Sequence, residues 1–357
     1  MRLPAGEGIR IASFATASPP FTATQDYAKD FLARHFAGRL SEKSRALIEK
    51  VYAHPSILRR RFAFDSPDCL LDEDPDSRIA RFTHWSVELS EQAARTALDR
   101  AGVAADEVDG LVVNTCTGYI CPGISTYLIG RLGLPSRTRA YDLVGSGCGG
   151  AIPNLQLAAA LAGGRRGGAA LSIAVEICSA TFQMGDDVSL IISNALFADG
   201  AAAAVVGSGD CSGGFELVSS SSFYAPEYRD DIRYVHKEGQ LHNRLSLRLP
   251  GLVRKAVSRA VQELLAPLSL RSGEIRHWAL HPGGEKIIST VREELGLTEE
   301  QVGPVRTVLS EFGNLSSPTV WYVLEEIERR GIERGEWCVM LAFGAGLSAH
   351  ACLLRKG

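Results

Sequence analysis

No C-x-x-C pair occurs among the eight cysteines, which stand at positions 69, 116, 121, 148, 178, 211, 338 and 352. Structural zinc sites bring paired cysteines or histidines at short spacing, so no metal site is expected. The same scatter argues against a disulfide frame and for free thiols in a reducing cytoplasm. No apolar run reaches the ~18 residues of a membrane-spanning helix. The opening residues, M-R-L-P-A-G-E-G, lack the apolar core of a signal peptide, so the expected location is cytoplasmic. Charge of one sign is not in excess either. A net charge of −3 gives no reason to expect nucleic acid or an anionic membrane as partner. What remains is a chain of 357 residues, 45% hydrophobic and 22% charged, as in ordinary globular proteins. It is long enough for one large or two medium domains.

The most informative stretch is Tyr141 to Pro153, Y-D-L-V-G-S-G-C-G-G-A-I-P. It reads as strand, sharp turn and helix, with Cys148 at the turn and the helix over Asn154 to Leu161. Glycines around the cysteine open backbone conformations closed to other residues and let a substrate approach. A helix N-terminus favours a thiolate, which makes Cys148 a candidate nucleophile. The alternative is a buried structural cysteine.

Along the rest of the chain, strands are expected at Ile9–Ala15, Val108–Thr115, Ala169–Val175, Ala201–Val206, Phe215–Ser222, Ile275–Leu280, Trp337–Phe343 and Leu347–Leu354. Helices are expected at Gln25–Phe36, Ser41–Tyr52, Ser77–Ala101, Pro250–Leu265, Lys286–Leu295 and from Glu311 through Ile327. The alternation argues for an α/β protein with much of its sheet buried. The two halves, 1–210 and 211–357, show a similar order of elements, which suggests a duplicated architecture. The basic run Arg59, Arg60, Arg61 could grip an anionic phosphate group or form a solvated face.

His281 ends a strand before Pro-Gly-Gly, and Asn314 follows a glycine at the expected start of a helix. Each has an ordinary structural explanation, a core histidine and an N-cap asparagine. Together with Cys148 they form a set able to do thioester chemistry. A histidine supports the thiolate, and histidine and asparagine N–H groups can donate to one developing oxyanion.

The segments T-C-T-G-Y-I-C-P-G, G-S-G-C-G-G-A, V-E-I-C-S-A-T-F, A-L-F-A-D-G-A-A-A, W-A-L-H-P-G-G, E-F-G-N-L-S-S-P and A-F-G-A-G-L occur in this order. In that set and order the chain resembles the chalcone/stilbene synthase family of type III polyketide synthases, and its bacterial members more than its plant ones. The resemblance runs from about Ile9 to Leu354. It implies a thiolase-like fold with two similar α/β halves in α-β-α-β-α layers. It also implies an acyltransferase that loads a starter acyl thioester on Cys148 and decarboxylates malonyl-CoA. Claisen condensation and cyclisation to a pyrone- or resorcinol-type product would follow. CoA thioesters are then the substrates, and no cofactor is expected.

By the same resemblance, Cys148 matches the nucleophile, and His281 and Asn314 the pair that stabilises the enolate. Phe197 matches one gatekeeper phenylalanine. Thr181, Cys178, Cys116 and Ser316 match cavity positions, and Cys121 matches a residue reaching into the neighbouring subunit of a homodimer. Gly344, Ala345 and Gly346 match the cavity scaffold, with alanine where the family usually has proline. The second gatekeeper is not evident; the best alignment places Leu247 there. The family's CoA-clasping residues are also unmatched, Val51 and Pro55 standing near two of them. Lys50, Arg59, Arg60 and Arg61 are the available substitutes. These departures leave open a stand-alone ketosynthase that makes one condensation or joins two β-ketoacyl chains, with an acyl carrier protein as donor. A cysteine hydrolase of the Cys–His–Asn type would lack its C-G-S-C-W signature.

Overall fold

A computed structural model describes residues 8–164, 167–208 and 213–357. Cys211 and the 210/211 boundary lie outside the described residues, as do the first seven residues.

Local sequence signals set most element ends. After strand β1 (Ile9–Ala17) and a short β2 (Phe21–Thr24), Thr24 accepts from the Tyr27 amide and caps α1 (Gln25–Phe36). Ser41 caps α2 (Glu42–Tyr52) in the same way, and β3 (Arg59–Phe62) pairs antiparallel with β2. Asp74 caps α3 (Pro75–Ala101), whose first residue is proline and whose end is Gly102 in a left-handed conformation. Then come β4 (Val108–Thr115), α4 (Ile124–Leu132), β5 (Arg139–Val144), α5 (Ala151–Ala162), β6 (Ala169–Ile177), α6 (Val188–Leu196) and β7 (Asp199–Ser208).

The second half opens with β8 (Phe215–Tyr224) and a hairpin of β9 (Ile232–Lys237) and β10 (Gln240–Leu245). Its two turn residues, Glu238 and Gly239, both have positive φ, as hairpin turns of this length require. Next come α7 (Leu249–Leu265), β11 (His277–Leu280), α8 (Glu285–Leu295), α9 (Glu299–Phe312), α10 (Thr319–Arg330), β12 (Trp337–Gly344) and β13 (Ser348–Lys356).

One sheet runs β11-β12-β13-β8-β1-β7-β6-β4-β5, its two halves joined at β1 and β8. Outward from that junction each half repeats one pattern: two antiparallel pairings, then a parallel one. The duplication suggested by the order of elements is therefore visible in strand direction. Helix α5 packs on β4, β6 and β7 on one side and on β12 and β13 on the other. Helix α10 also lies between the halves, against β1, β11 and β12, where Trp321 meets Phe14 at 5.7 Å between ring centroids. Helices α3 and α4 cover the outer face of the first half, and α7 that of the second, with α8 packed against α7. This is the expected five-layer order, with β6 buried along its whole length between helical layers. Among the described residues no helix is long and apolar enough to cross a membrane.

Two expectations need correction. Helix α9 fills a stretch for which no element is expected from the sequence, and it carries Pro304 inside it. Thr298 and Gln301 close a capping box that starts the helix all the same. The next helix then begins at Thr319, so Asn314 is not at its start but in the loop between α9 and α10.

Candidate active site

Cys148 sits in a single tight turn, Gly147–Gly149, between β5 and α5. Gly147 has φ +56°, and a Cβ there would lie 2.9 Å from the Ala345 amide nitrogen. A Cβ on Gly344 would stand 2.3 Å from the Ser146 carbonyl oxygen. The Cys148 turn and the Gly344–Gly346 turn thus touch backbone to backbone, and only glycine permits it. Gly344 acts through this contact and does not line the cavity, whereas Ala345 does.

The Ser316 hydroxyl donates to Cys148 Sγ at 3.3 Å. Ser316 itself has φ +58° and is held by Asn314, whose Oδ1 accepts from the Ser316 amide at 2.8 Å. Burial pushes the Cys148 thiol up to about 12; the Ser316 hydroxyl works against this rise and the Glu176 carboxylate adds to it. Burial thus opposes the thiolate that the helix N-terminus favours.

Asn314 is 2% exposed and is fixed by main-chain bonds on both sides. Its amide donates to the Leu196 carbonyl at 2.8 Å, and its carbonyl accepts from the Ala198 amide at 2.9 Å. It thereby lies alongside Phe197 as a parallel bridge. With Oδ1 committed to Ser316, its Nδ2 has no hydrogen bond among the described residues. His281 is held at the end of β11 by its amide on the Leu341 carbonyl, with its ring against Phe343. Its Nδ1 is buried without a partner, and burial lowers its pKa to about 3, so the imidazole is neutral.

A small pocket of about 30 Å³ holds Cys148 with Phe197, Cys116, Ser316 and Ala345, closed by Tyr234, Asn243 and Leu245 from the hairpin. It adjoins a cavity of about 810 Å³ that shares Cys116, Gly147, Arg233, Tyr234 and Ala345 with it and adds Thr181 and Gly346. A further apolar pocket of about 70 Å³ lies behind Phe197 and is where Cys178 is found.

Two expectations are not met at the site. Leu247 is 85% exposed and lies beyond the end of β10. Pairing in the hairpin sets Leu245 opposite Ile232 and Asn243 opposite Tyr234, and these four residues face the Cys148 pocket. A two-residue shift along the chain keeps the same face, so only the end of the strand separates Leu245 from Leu247. The basic run is also not a free phosphate grip. Arg59 is ion-paired with Glu311 at 2.5 Å. Arg60 is 2% exposed and donates to the Phe197 carbonyl (2.8 Å), the Asn194 carbonyl (2.6 Å) and Gln25 (3.0 Å). Arg61 lies over the Phe312 ring. Of the four basic candidates, Lys50 alone is exposed without an ion pair among the described residues. Cys121 is exposed and lines none of these cavities.

Two buried carboxylates escaped notice in the sequence. Glu176 is fully buried and accepts from the Cys116 amide (2.9 Å), Thr117 (3.0 Å) and Ser317 (2.7 Å), tying the cavity wall to the loop that carries Ser316. Asp199 accepts from the Ala63 and Ser179 amides and so binds the turn of Cys178 and Thr181 to β3. Glu176 had a signal, a lone charge in a nine-residue apolar strand. Asp199 and Arg60 had none, because their partners are far apart in the chain.

Comparison with known proteins agrees over nearly the whole length. Residues 19–217 match the family described as FAE1/Type III polyketide synthase-like protein, and residues 216–356 match the Chalcone and stilbene synthases, C-terminal domain. Among solved structures, PKS-I from the brown alga Ectocarpus siliculosus is similar at 27% identity and TM-score 0.91, over 99% of this chain and 100% of that one. A fungal type III polyketide synthase, ORAS, is similar at 23% identity and TM-score 0.88, over 98% and 100%. The 1,3,6,8-tetrahydroxynaphthalene synthase of Streptomyces coelicolor A3(2) is similar at 23% identity and TM-score 0.88, over 98% and 99%. The fold is the thiolase-like fold of these enzymes, and the chain belongs to the type III polyketide synthase family of condensing acyltransferases.

Proposed function

We propose that Cys148, His281 and Asn314 carry a decarboxylative Claisen condensation of acyl-CoA with malonyl-CoA. The observation that supports it most is the placement of Asn314. The main chain binds it beside Phe197, which lines the pocket of Cys148, and its Oδ1 holds Ser316, whose hydroxyl donates to Cys148, while its Nδ2 donor stays uncommitted.

In the resting site thiol and imidazole are both neutral. Cys148 Sγ attacks the starter thioester, the C–S bond to CoA breaks, and the Cys148 proton leaves with the CoA sulfur. Malonyl-CoA then loses CO2, and the electron pair moves onto its thioester oxygen. Nε2–H of neutral His281 and Nδ2–H of Asn314 donate to that enolate oxygen. The Phe197 ring offers the carboxylate poor solvation, which assists its loss. The enolate carbon attacks the Cys148 thioester; a C–C bond forms, the C–S bond breaks and the thiolate returns. The chain, now on CoA, can reload. A cavity of about 810 Å³ beside the pocket has room for repeated extension and for folding to a pyrone or resorcinol. No observation favours a carrier protein over CoA as donor.

A homodimer fits the surface. Strand β5 ends the sheet with one edge unpaired among the described residues, and exposes Tyr141 and Val144 near Tyr119. An apolar edge of this kind invites pairing with a second copy, which would bring the exposed Cys121 toward the partner. We place the enzyme in the cytoplasm, in keeping with its free thiols.

The test is intact-protein mass spectrometry after exposure to acyl-CoAs of rising length, followed by malonyl-CoA and product extraction. An acyl adduct on the wild type, absent in Cys148→Ala, and then cyclised products is the expected result. Condensation by Cys148→Ala, or a single condensation and no more, would refute it.

A further inference from the structure

We propose that the cavity of about 810 Å³ receives a carboxylate-terminated acyl chain, so that the enzyme accepts the monothioester of a dicarboxylic acid. The proposal rests on the reading of Cys148 as the residue that carries the acyl group. The walls of this cavity hold Arg78, Arg229, Arg233 and His236 and no aspartate or glutamate.

Arg78 is the strongest sign. It is 5% exposed, and among the described residues no carboxylate lies within ion-pairing distance of it. Its Nε donates to the Asp72 carbonyl at 3.3 Å and its Nη1 to the Phe182 carbonyl, while Nη2 makes no hydrogen bond among the described residues. Asp72 and Glu73 act on its charge only from beyond contact distance; a buried guanidinium without a directly paired counter-ion is costly, and arginine does not escape by losing its proton. An anion in the cavity would relieve that cost. Arg229 is exposed and forms no ion pair among the described residues; its Nη1 donates only a long hydrogen bond, 3.4 Å, to the Pro226 carbonyl. Arg233 is paired with Asp230 at 2.6 Å, and it lines both this cavity and the Cys148 pocket.

The two spaces meet at the small residues Cys116, Gly147 and Ala345. Through this junction the group bonded to Sγ can extend from the pocket into the cavity. Ile79, Phe82 and Ala180 offer that chain an apolar wall, and the arginines offer its far end a planar, bidentate partner for a carboxylate. The thioester exchange at Cys148 is the one already described, with CoA leaving as the thiol.

The experiment is competitive loading of Cys148 by adipyl-CoA and heptanoyl-CoA, read as the ratio of the two adducts by intact mass. The same pair is run in parallel as pantetheine thioesters. The wild type is expected to favour the adipyl adduct. Arg78→Gln and Arg229→Gln are each expected to lower the adipyl-to-heptanoyl ratio at least tenfold, with both kinds of carrier. Arg229 is exposed, so its variant tests the site even where Arg78→Gln loses the fold. An unchanged ratio in a folded Arg229→Gln overturns the proposal. So does a variant that slows both CoA thioesters equally and neither pantetheine thioester, because the arginines would then be reading CoA phosphates. Absence of any adduct on the wild type would instead refute the underlying role of Cys148.

Discussion

At the scale of single residues, the site is built of side chains whose polar atoms are almost all committed, and the few uncommitted ones mark the chemistry. Asn314 gives its oxygen to Ser316 and keeps its Nδ2, while the Nδ1 of His281 is buried without a partner. The hairpin residues that close the pocket show how one position decides a role. Leu245 borders the Cys148 pocket and Leu247 is exposed, although both have the same parity in the chain. Leu245→Ala is expected to change the starter preference by several-fold toward longer acyl groups, and Leu247→Ala to leave it as in the wild type. Adduct ratios over an acyl-CoA series check this. A selectivity change in Leu247→Ala alone would restore the alignment made from sequence.

At the scale of elements, the C-terminal end of α6 is the joint between the site and the scaffold. Its last carbonyls would lack partners, as at any helix end. Arg60, on β3, takes the Asn194 and Phe197 carbonyls, while the main chain around Phe197 pairs with Asn314. Its buried charge also lies over the Tyr52 and Phe62 rings. Arg60→Met should therefore cost roughly 3 kcal/mol of stability, since it strands several buried acceptors at once. Urea unfolding measures that loss. A variant of full stability with a raised KM for acyl-CoA would mean instead that Arg60 grips the carrier.

At the scale of the whole molecule, the buried thiols make stability depend on alkaline pH. Cys148, Cys338 and Cys352 are pushed up to about 12 by burial, and Cys116 and Cys178 well above the ordinary thiol value. An unfolded thiol titrates near ~8.5. With the folded value raised, the unfolded chain loses protons first. The contribution to stability is complete below about pH 8.5 and is lost as pH rises toward the folded values. Each thiol removes at most ~1.4 kcal/mol per pH unit in that window. Under reducing conditions Tm is expected to fall steadily between pH 8.5 and 10.5. A flat Tm over that range would show that these thiols are wetter than the structure has them.

Taken by itself, the sequence was enough for the alternation of strand and helix, the extent of α1, the end of α3 before Gly102, and the turn that presents Cys148. It also sufficed, through its ordered motifs, for the family. These are local or linear properties: periodicity, and a glycine where φ is positive. The tertiary structure alone decided which polar groups meet. Glu176 and Ser317, Arg60 and Phe197, and Asp199 and Ala63 are brought together by sheet order and helix docking, which leave no local trace. It also decided the electrostatics of Cys148. Helix position favours the thiolate, but burial opposes any charge in the closed pocket, and there burial is the larger effect.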